Sequence, residues 1–172
     1  MSVRKLVFSF ALCASILAIS CSRRPAPVRT YPMGERVQLG QLIYTVFETQ
    51  WMTHFGEGLN QRVPQNRYFL VRMSITNAGS VDTMVPAMSV VDDSGQIHAE
   101  LSNGDGVPQW IGYLRNVKPA ESAQGNILFD AAPKHYKLRI TDETEQEVRM
   151  IDIPLSFATE TPAVSTPQPA NP

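Results

Sequence analysis

The sequence predicts an all-β protein whose fold is an antiparallel β-sandwich of about seven to nine short strands. Two observations predict this class. Apolar and polar residues alternate over short stretches, and turn signals recur about every 8–15 residues. A third observation agrees with them, because no stretch keeps a helical period for more than about two turns.

The first predicted elements are a hairpin and a long alternating strand. Residues 36–39 and 42–47 flank Gly40 and Gln41, which is typical of two strands joined by a tight turn. Residues 68–76 alternate well, so this strand is expected to bury one face and keep the other mostly wet. The apolar face comprises Phe69, Val71, Met73 and Ile75, and the other face comprises Leu70, Arg72, Ser74 and Thr76.

The later elements follow the same pattern. Residues 88–91 and 97–101 read as the two arms of a hairpin around the turn at residues 92–95. Residues 124–130 place Ile127 and Phe129 on an inner face, and residues 136–140 alternate again. An acidic turn at residues 142–146 precedes the last predicted strand at residues 148–155.

The chain is expected to hold one sandwich domain at residues 34–157. Residues 21–33 are rich in proline and arginine and are predicted to form a flexible tether. Arginines in or beside it either attract an anionic membrane surface or are simply solvated. Residues 158–172 are rich in Pro, Thr and Ala, which predicts a disordered tail.

The first 20 residues have the pattern of a signal peptide. Arg4 and Lys5 precede the uncharged run LVFSFALCASILAIS. A spanning helix needs about 20 apolar residues, and this run is shorter, so a transmembrane anchor is the less favoured alternative. Removal of this segment lowers the formal net charge from −1 to about −3. A chain without net basic charge does not suggest a nucleic-acid partner.

The sequence Ala18-Ile19-Ser20-Cys21 resembles the lipobox of bacterial lipoproteins. The resemblance implies cleavage before Cys21 and attachment of acyl chains such as palmitate to it, which would anchor the protein to a membrane. Ser22 follows, not Asp, which favours the outer membrane, on its periplasmic side, in a Gram-negative cell. The other cysteine, Cys13, would leave with the signal peptide, so the mature domain is expected to have no disulfide.

Four segments occur in an order that resembles an uncharacterised family of bacterial secreted and lipid-anchored domains. They are GQLIYTVFETQW, FLVRMSITNAG, VVDDSGQIH and GNILFDAAPKHYKLRI. The resemblance implies an immunoglobulin-like fold, similar to that of a small secreted immunoprotective antigen, and an extracytoplasmic setting. It implies no catalytic residues, because none are established for the family.

No motif for catalysis or for a cofactor stands out. His54, His98 and His135 lie on separate segments, so a zinc site is unsupported. Neither a nucleophile elbow nor a phosphate-binding glycine loop occurs. Oxygen-bearing side chains near two turns could in principle hold calcium, although turns use the same residues for their own hydrogen bonds. These side chains are Asp92, Asp93, Glu100, Asn103 and Asp105. We therefore expect no cofactor and no metal.

The segment Trp51 to Pro64 is the most unusual part of the domain, because it is long for a connection between strands. Its aromatic residues either anchor a partner or cap the open end of the core. Together with a second segment around Trp110, it gives a candidate partner-binding surface of Trp51, His54, Phe55 and Trp110.

The sequence therefore predicts a lipid-anchored, extracytoplasmic binding or scaffolding module of the bacterial cell envelope, with an unidentified protein or envelope partner. One alternative is a purely structural spacer or dimerisation module. Another is an enzyme whose site is assembled from loops.

Overall fold

The computed structural model describes residues 28–156 and confirms the all-β sandwich. The described residues form eleven strands, more than the sequence predicts, because the strands at residues 29–32, 83–85 and 115–117 have too few residues to show alternation by themselves. The strands are β1 (Arg29–Pro32), β2 (Val37–Leu39), β3 (Leu42–Met52), β4 (Arg67–Asn77), β5 (Thr83–Val85), β6 (Ser89–Asp92), β7 (Ile97–Ala99), β8 (Arg115–Val117), β9 (Ser122–Ala131), β10 (Tyr136–Thr141) and β11 (Val148–Ile153). A 3₁₀ turn spans Gly58–Asn60. Within residues 28–156, no helix is long and apolar enough to span a membrane.

The strands form two main sheets and a small ribbon. Sheet A has the order β1-β11-β10-β6-β7, and sheet B has the order β2-β3-β4-β9. Strands β5 and β8 form the two-stranded ribbon. Strand β1 pairs in parallel with β11, whereas the other pairs are antiparallel.

The main core lies between the inner faces of sheets A and B. The apolar face predicted for β4 is buried, since Phe69, Val71, Met73 and Ile75 are each at most 1% exposed. Opposite them, sheet A contributes Tyr136, Leu138, Ile140 and Ile151. Burial of one such side chain is worth about 1.5–3 kcal/mol, so this layer is the main source of stability.

A bulge in β3 changes which residues face the core. Val46 pairs with Met73 and Glu48 with Arg72, so Phe47 is an extra residue in the strand. Before the bulge the even-numbered side chains of β3 point into the core, and beyond it the odd-numbered ones do, so Trp51 faces inward. The sequence assigned Trp51 to a connecting segment. It lies instead in β3, which ends at Met52, and the connection begins at residue 53.

The chain enters the sandwich at one end and leaves β3 at the other. In sheet A, β1 begins at Arg29, which pairs with Arg149 beside the β10–β11 turn. At the opposite end of this sheet, Tyr136 begins β10, and its ring lies 6.2 Å from that of Trp51 at the end of β3. We call these the entry end and the far end. The connection after β3 therefore starts at the far end.

Strand β1 lies within residues 21–33, which the sequence assigned to the tether. The packed domain thus starts at Arg29, because four residues of this segment pair with β11. Tyr31 also packs against the main core. The predicted signal peptide, Cys21, the last residue of the predicted sandwich, Phe157, and the predicted tail at residues 158–172 lie outside the described residues.

Candidate functional site

Two long connections fold together over the outer face of sheet B. They are residues 53–66, between β3 and β4, and residues 101–112, between β7 and β8. Phe55 and Val107 from these connections join Tyr68, Leu70 and Leu128 of sheet B in a second apolar cluster. Phe55 and Tyr68 are in ring contact, with centroids 4.7 Å apart. We call the two connections the loop cover.

Hydrogen bonds fix residues 53–66 in place. Backbone bonds of 3.0 and 2.8 Å between Phe55 and Arg62 close the neck of this loop. The carboxylate of Asp130 on β9 accepts from the backbone N–H groups of Gln65 and Asn66, at 2.6 and 2.8 Å. The loop is therefore attached to the sheet at its base.

The guanidinium of Arg62 fastens one loop to the other. It donates to the backbone oxygen of Asn103, at 3.1 Å, and to that of Asp105. It also lies 5.8 Å from the centre of the Tyr68 ring, in cation–π distance. One arginine thus ties both loops to each other and to the apolar cluster beneath them.

Residues 101–112 are fixed to the free edge of β9. Asn126 exchanges backbone hydrogen bonds with this loop, accepting from Ile111 at 3.2 Å and donating to Gln109 at 2.9 Å. Its side-chain amide donates to the oxygen of Pro108 at 2.7 Å. The close approach needs glycine at position 125, because a Cβ there would overlap the oxygen of Gln109. The loop therefore covers a sheet edge that would otherwise be unpaired.

The four residues predicted to form one binding surface are placed differently from one another. Trp51 stacks on Phe69 in the main core, with centroids 4.1 Å apart. Phe55 is buried, and Trp110 is half-buried against the second cluster, on the other face of the same sheet. His54 is exposed, and its Nδ1 lies 2.9 Å from the Thr53 hydroxyl. The structure brings Phe55 and Trp110 into one cluster and separates Trp51 from them by the thickness of sheet B. A partner-binding role for these residues stays a prediction.

Sequence reasoning missed the residues that organise this surface. Leu70 was assigned to a mostly wet face, yet it is 2% exposed, because the loop cover lies over it. Leu128 is buried on the same face. The available signal was a leucine among mostly polar residues on the outer face of each strand, whereas the pairing of the two leucines across β4 and β9 is known only from the fold.

The loop cover also presents apolar side chains to solvent. Leu59, in the 3₁₀ turn, is fully exposed, and Val63 is 69% exposed. Leu114, just beyond the second loop, is 83% exposed. Neither Leu59 nor Val63 contributes to the packed clusters. They are therefore free to contact a partner.

Two shallow clefts border the loop cover. One, of about 260 Å³, lies between the two loops and is lined by Phe55, Arg62 and Asp105 among others. The other, of about 220 Å³, lies where residues 108–109 meet the outer face of β3 and β4, and includes Glu48 and Arg72. Both are smaller than the roughly 300 Å³ at which small-molecule pockets begin.

Asp92, one of the acidic residues considered for calcium, is used in structural hydrogen bonds. Asp92 Oδ1 accepts from the N–H groups of Ser94 and Gln96 and from the Ser94 hydroxyl, and Oδ2 pairs with Lys134 at 3.1 Å. The Ser94 hydroxyl is the main cause that holds the pKa of Asp92 below its usual range. Within residues 28–156, no group of three His, Cys, Asp or Glu side chains is placed to hold a metal.

Glu100, also considered for calcium, forms a buried ion pair. Its oxygens lie 2.7 Å from the two terminal nitrogens of Arg115, and it also accepts from the Met88 N–H at 3.0 Å. The two side chains are 0% and 4% exposed. This pair joins the β7 end of sheet A to the β5–β8 ribbon.

His135 bridges two carboxylates. Its Nδ1 lies 2.9 Å from Asp93 and its Nε2 lies 2.9 Å from Asp152. Neutral imidazole can donate from only one nitrogen, so both bonds to carboxylates require the imidazolium form. The hydrogen bond to Asp93 is the main cause that raises the pKa of His135, and Asp152 adds to it.

Comparison with known proteins places this chain in a family. Residues 31–148 match the model of a domain of unknown function, DUF4352. This match covers well over half of the chain, so the chain belongs to that family. No curated protein matches the chain.

Solved structures share the fold at low sequence identity. The yjhA protein of Bacillus subtilis is 12% identical, with a TM-score of 0.56 over 72% of this chain and 98% of that one. The secreted protein MPT63 of Mycobacterium tuberculosis is 16% identical, with a TM-score of 0.56 over 74% and 99%. A proposed lipoprotein of Bacillus subtilis, ycdA, is 11% identical, with a TM-score of 0.52 over 70% of this chain and 38% of that one. At such identities the likeness concerns the fold alone.

Proposed function

We propose that this chain is a lipid-anchored binding or scaffolding module of the bacterial cell envelope, and that the loop cover is its binding surface. The observation that carries the proposal is the loop cover itself. Two loops are fastened to each other and to sheet B, and they hold Leu59 and Val63 exposed. Exposed apolar side chains on a fixed surface are typical of interaction sites.

The anchor in this proposal is Cys21, on its lipobox-like sequence. The first packed residue, Arg29, is eight positions further along the chain and lies at the entry end. An extended chain covers about 3.3–3.6 Å per residue, so the entry end would lie within roughly 30 Å of the lipid. The loop that carries Leu59 starts at the far end, where β3 ends. A membrane-anchored domain of this kind would present that loop away from the bilayer.

A binding role fits the chemistry of the domain better than catalysis. The carboxylates and the imidazole with shifted pKa values, at Asp92, His135 and Asp142, are engaged in contacts that hold turns and strands together. The clefts beside the loop cover are small and shallow. A secreted protein and a proposed lipoprotein share the fold, which is consistent with an extracytoplasmic domain.

Membrane fractionation with intact-mass measurement tests the anchor, by comparison of the native protein with Cys21→Ala. We expect the native chain in the membrane fraction, with a mass that begins at Cys21 and includes acyl chains. The variant should lose both properties. A native chain with a free thiol at Cys21, or one cut further along, would contradict lipid anchoring.

Site-specific crosslinking in cells tests the binding surface. A photoreactive residue in place of Asn60, which neighbours Leu59, should give a discrete adduct with an envelope component. The double variant Leu59→Ser and Val63→Ser should abolish the adduct without lowering the melting temperature, because both side chains are exposed. Val81→Ser, at an exposed apolar site outside the loop cover, is the matched control and should leave the adduct unchanged. An adduct that the double variant leaves intact would contradict this surface, and the absence of any adduct would favour a structural spacer.

A further inference from the structure

We propose that a separate cleft at the entry end binds a small organic amine, with an apolar body and a single positive charge. The cleft lies between the β2–β3 hairpin, residues 83–86 and the β10–β11 turn. It uses none of the residues of the loop cover. The proposal therefore stands or falls independently of lipid anchoring and of the partner-binding surface.

The size of the cleft fits a small ligand. Its volume is about 320 Å³, larger than the two clefts beside the loop cover, and within the range of about 300–1,000 Å³ found for small-molecule sites. The apolar part of its lining consists of leucine, methionine, tyrosine and proline side chains from two segments, the β2–β3 hairpin and residues 84–86. These are Leu39, Leu42, Tyr44, Met84 and Pro86. An apolar body of about six to eight heavy atoms would be desolvated there.

The charge of the cleft selects a cation. Asp142 and Glu143 line it, and no lysine, arginine or histidine does. Asp142 accepts hydrogen bonds from the Thr144 hydroxyl and the Glu147 N–H, at 2.6 and 3.0 Å. The bond from Thr144 is the main cause that lowers the pKa of Asp142, so this carboxylate stays ionised. Glu143 is exposed and forms no ion pair with another described residue.

Tyr44 and Met84 supply the rest of the recognition. Tyr44 is 1% exposed yet borders the cleft, and no hydrogen bond between described residues involves its hydroxyl group. Burial raises the pKa of Tyr44, so its hydroxyl stays neutral and adds no negative charge to the wall of the cleft. Arg115, whose charge acts on Tyr44, is itself neutralised by Glu100. Met84 is 54% exposed, and its flexible thioether can adapt to an apolar body.

The test can use residues 28–172 without the preceding segment. All eleven strands and both apolar clusters are formed within residues 28–156. The solved yjhA structure, 98% of which is covered by this chain, is likewise a domain of this fold alone. We would titrate the ¹⁵N-labelled domain with benzylamine, benzyl alcohol and benzoate. These probes share a ring and a length, and differ in charge.

We expect benzylamine to shift the backbone resonances of residues 39–44 and 141–144, with an affinity at least about fivefold above that of benzyl alcohol. Benzoate should not bind. Glu143→Gln should weaken benzylamine binding about fivefold and leave benzyl alcohol unchanged, whereas Met84→Ala should weaken both. Glu57→Gln, at an exposed carboxylate outside the cleft, is the control and should have no effect.

Three results would overturn the proposal. The first is the absence of saturable shifts at the cleft with any probe. The second is equal affinity for benzylamine and benzyl alcohol, because the carboxylates would then have no role. The third is benzylamine binding that Glu143→Gln and Glu57→Gln weaken alike, which would reflect the net charge of the domain and not this cleft.

Discussion

At the scale of single residues, the Glu100–Arg115 pair is the interaction whose loss should cost most. Both side chains are almost fully buried, and each also bonds a backbone group, the Met88 N–H or the Gly112 carbonyl. Removal of one partner leaves an uncompensated buried charge, which typically costs about 3–5 kcal/mol. The pair therefore holds the β5–β8 ribbon in position against sheet A.

Glu100→Gln and Arg115→Met should each lower the free energy of unfolding by about 3–5 kcal/mol, measured by denaturant titration. The double variant Glu100→Leu and Arg115→Met should recover more than half of that loss, since no charge stays unpaired. Arg72→Ala, which removes the exposed 3.9 Å contact with Glu48, is the control and should change stability by less than about 1 kcal/mol. A double variant that loses as much unfolding free energy as the two single variants together would show that unpaired buried charge is not the cause of the loss.

The His135 bridge makes stability depend on pH in a defined direction. The pKa of His135 is raised in the folded protein above its ordinary value of 6.5. The bridge therefore stabilises the fold fully below about pH 6.5, and this contribution is lost as the pH rises through the folded pKa. The ring is a third exposed, so solvent screening keeps the effect small.

Thermal unfolding between pH 5.5 and 8.5 should show a decrease in melting temperature of about 2–4 °C above neutrality that His135→Gln removes. His54→Gln, at an exposed histidine, should keep the decrease. Identical pH profiles for the native protein and His135→Gln would show that the bridge does not form.

Gly104 illustrates a steric requirement at one residue. A Cβ at this position would overlap the Trp110 ring, which packs directly on the glycine. Gly104→Ala should displace the indole, cost about 1–3 kcal/mol and change the tryptophan emission. Gly79→Ala is the matched control, because the added methyl meets mainly the flexible Gln41 side chain. An unchanged emission spectrum for Gly104→Ala would contradict the packing of Trp110 on this glycine.

At the scale of elements, the loop cover should behave as one cooperative unit. Phe55 lies in the second cluster between residues 53–66 and sheet B, so its removal should loosen the loop before the sandwich. Phe55→Ala should lower the opening free energy of the Gln65 and Asn66 amides by about 3 kcal/mol in hydrogen exchange. Amides in the centre of β4 should change less.

Leu59→Ala, at a fully exposed side chain of the same loop, is the control and should alter the protection of neither the loop amides nor the β4 amides. Uniform loss of protection across β4 would show that the loop and the core open together.

At the scale of the whole molecule, the fold has a direction relative to the proposed anchor. Chain entry at Arg29 and the loop that carries Leu59 belong to opposite ends of the sandwich. In lipid vesicles, a fluorophore at position 143 should therefore transfer energy to a bilayer-bound acceptor more efficiently than one at position 60. The Cys21→Ala variant should show equal, weak transfer from both positions. Equal efficiency in the lipidated protein would contradict a fixed direction.

The sequence alone was sufficient for the fold class and for the main core. Alternation in β4, β9 and β10 has a period of two, which specifies an inner face such as Phe69, Val71, Met73 and Ile75 without knowledge of the neighbours. Turn residues such as those at 92–95 specify where strands stop, because the Asp92 side chain satisfies the local backbone N–H groups. Both signals are local, so they can be read from one chain.

Only the tertiary structure decided what forms the candidate surface. The bulge at Phe47 turns Trp51 toward the core face of sheet B, and the local pattern of apolar and polar residues does not predict a bulge. The burial of Leu70 and Leu128 depends on loops that are distant in sequence, and the fastening of those loops depends on Arg62 and on residues about 40 positions later. The cleft at the entry end likewise joins three separate segments. Such features arise from contacts between distant parts of the chain, and a periodicity of neighbouring residues carries no information about them.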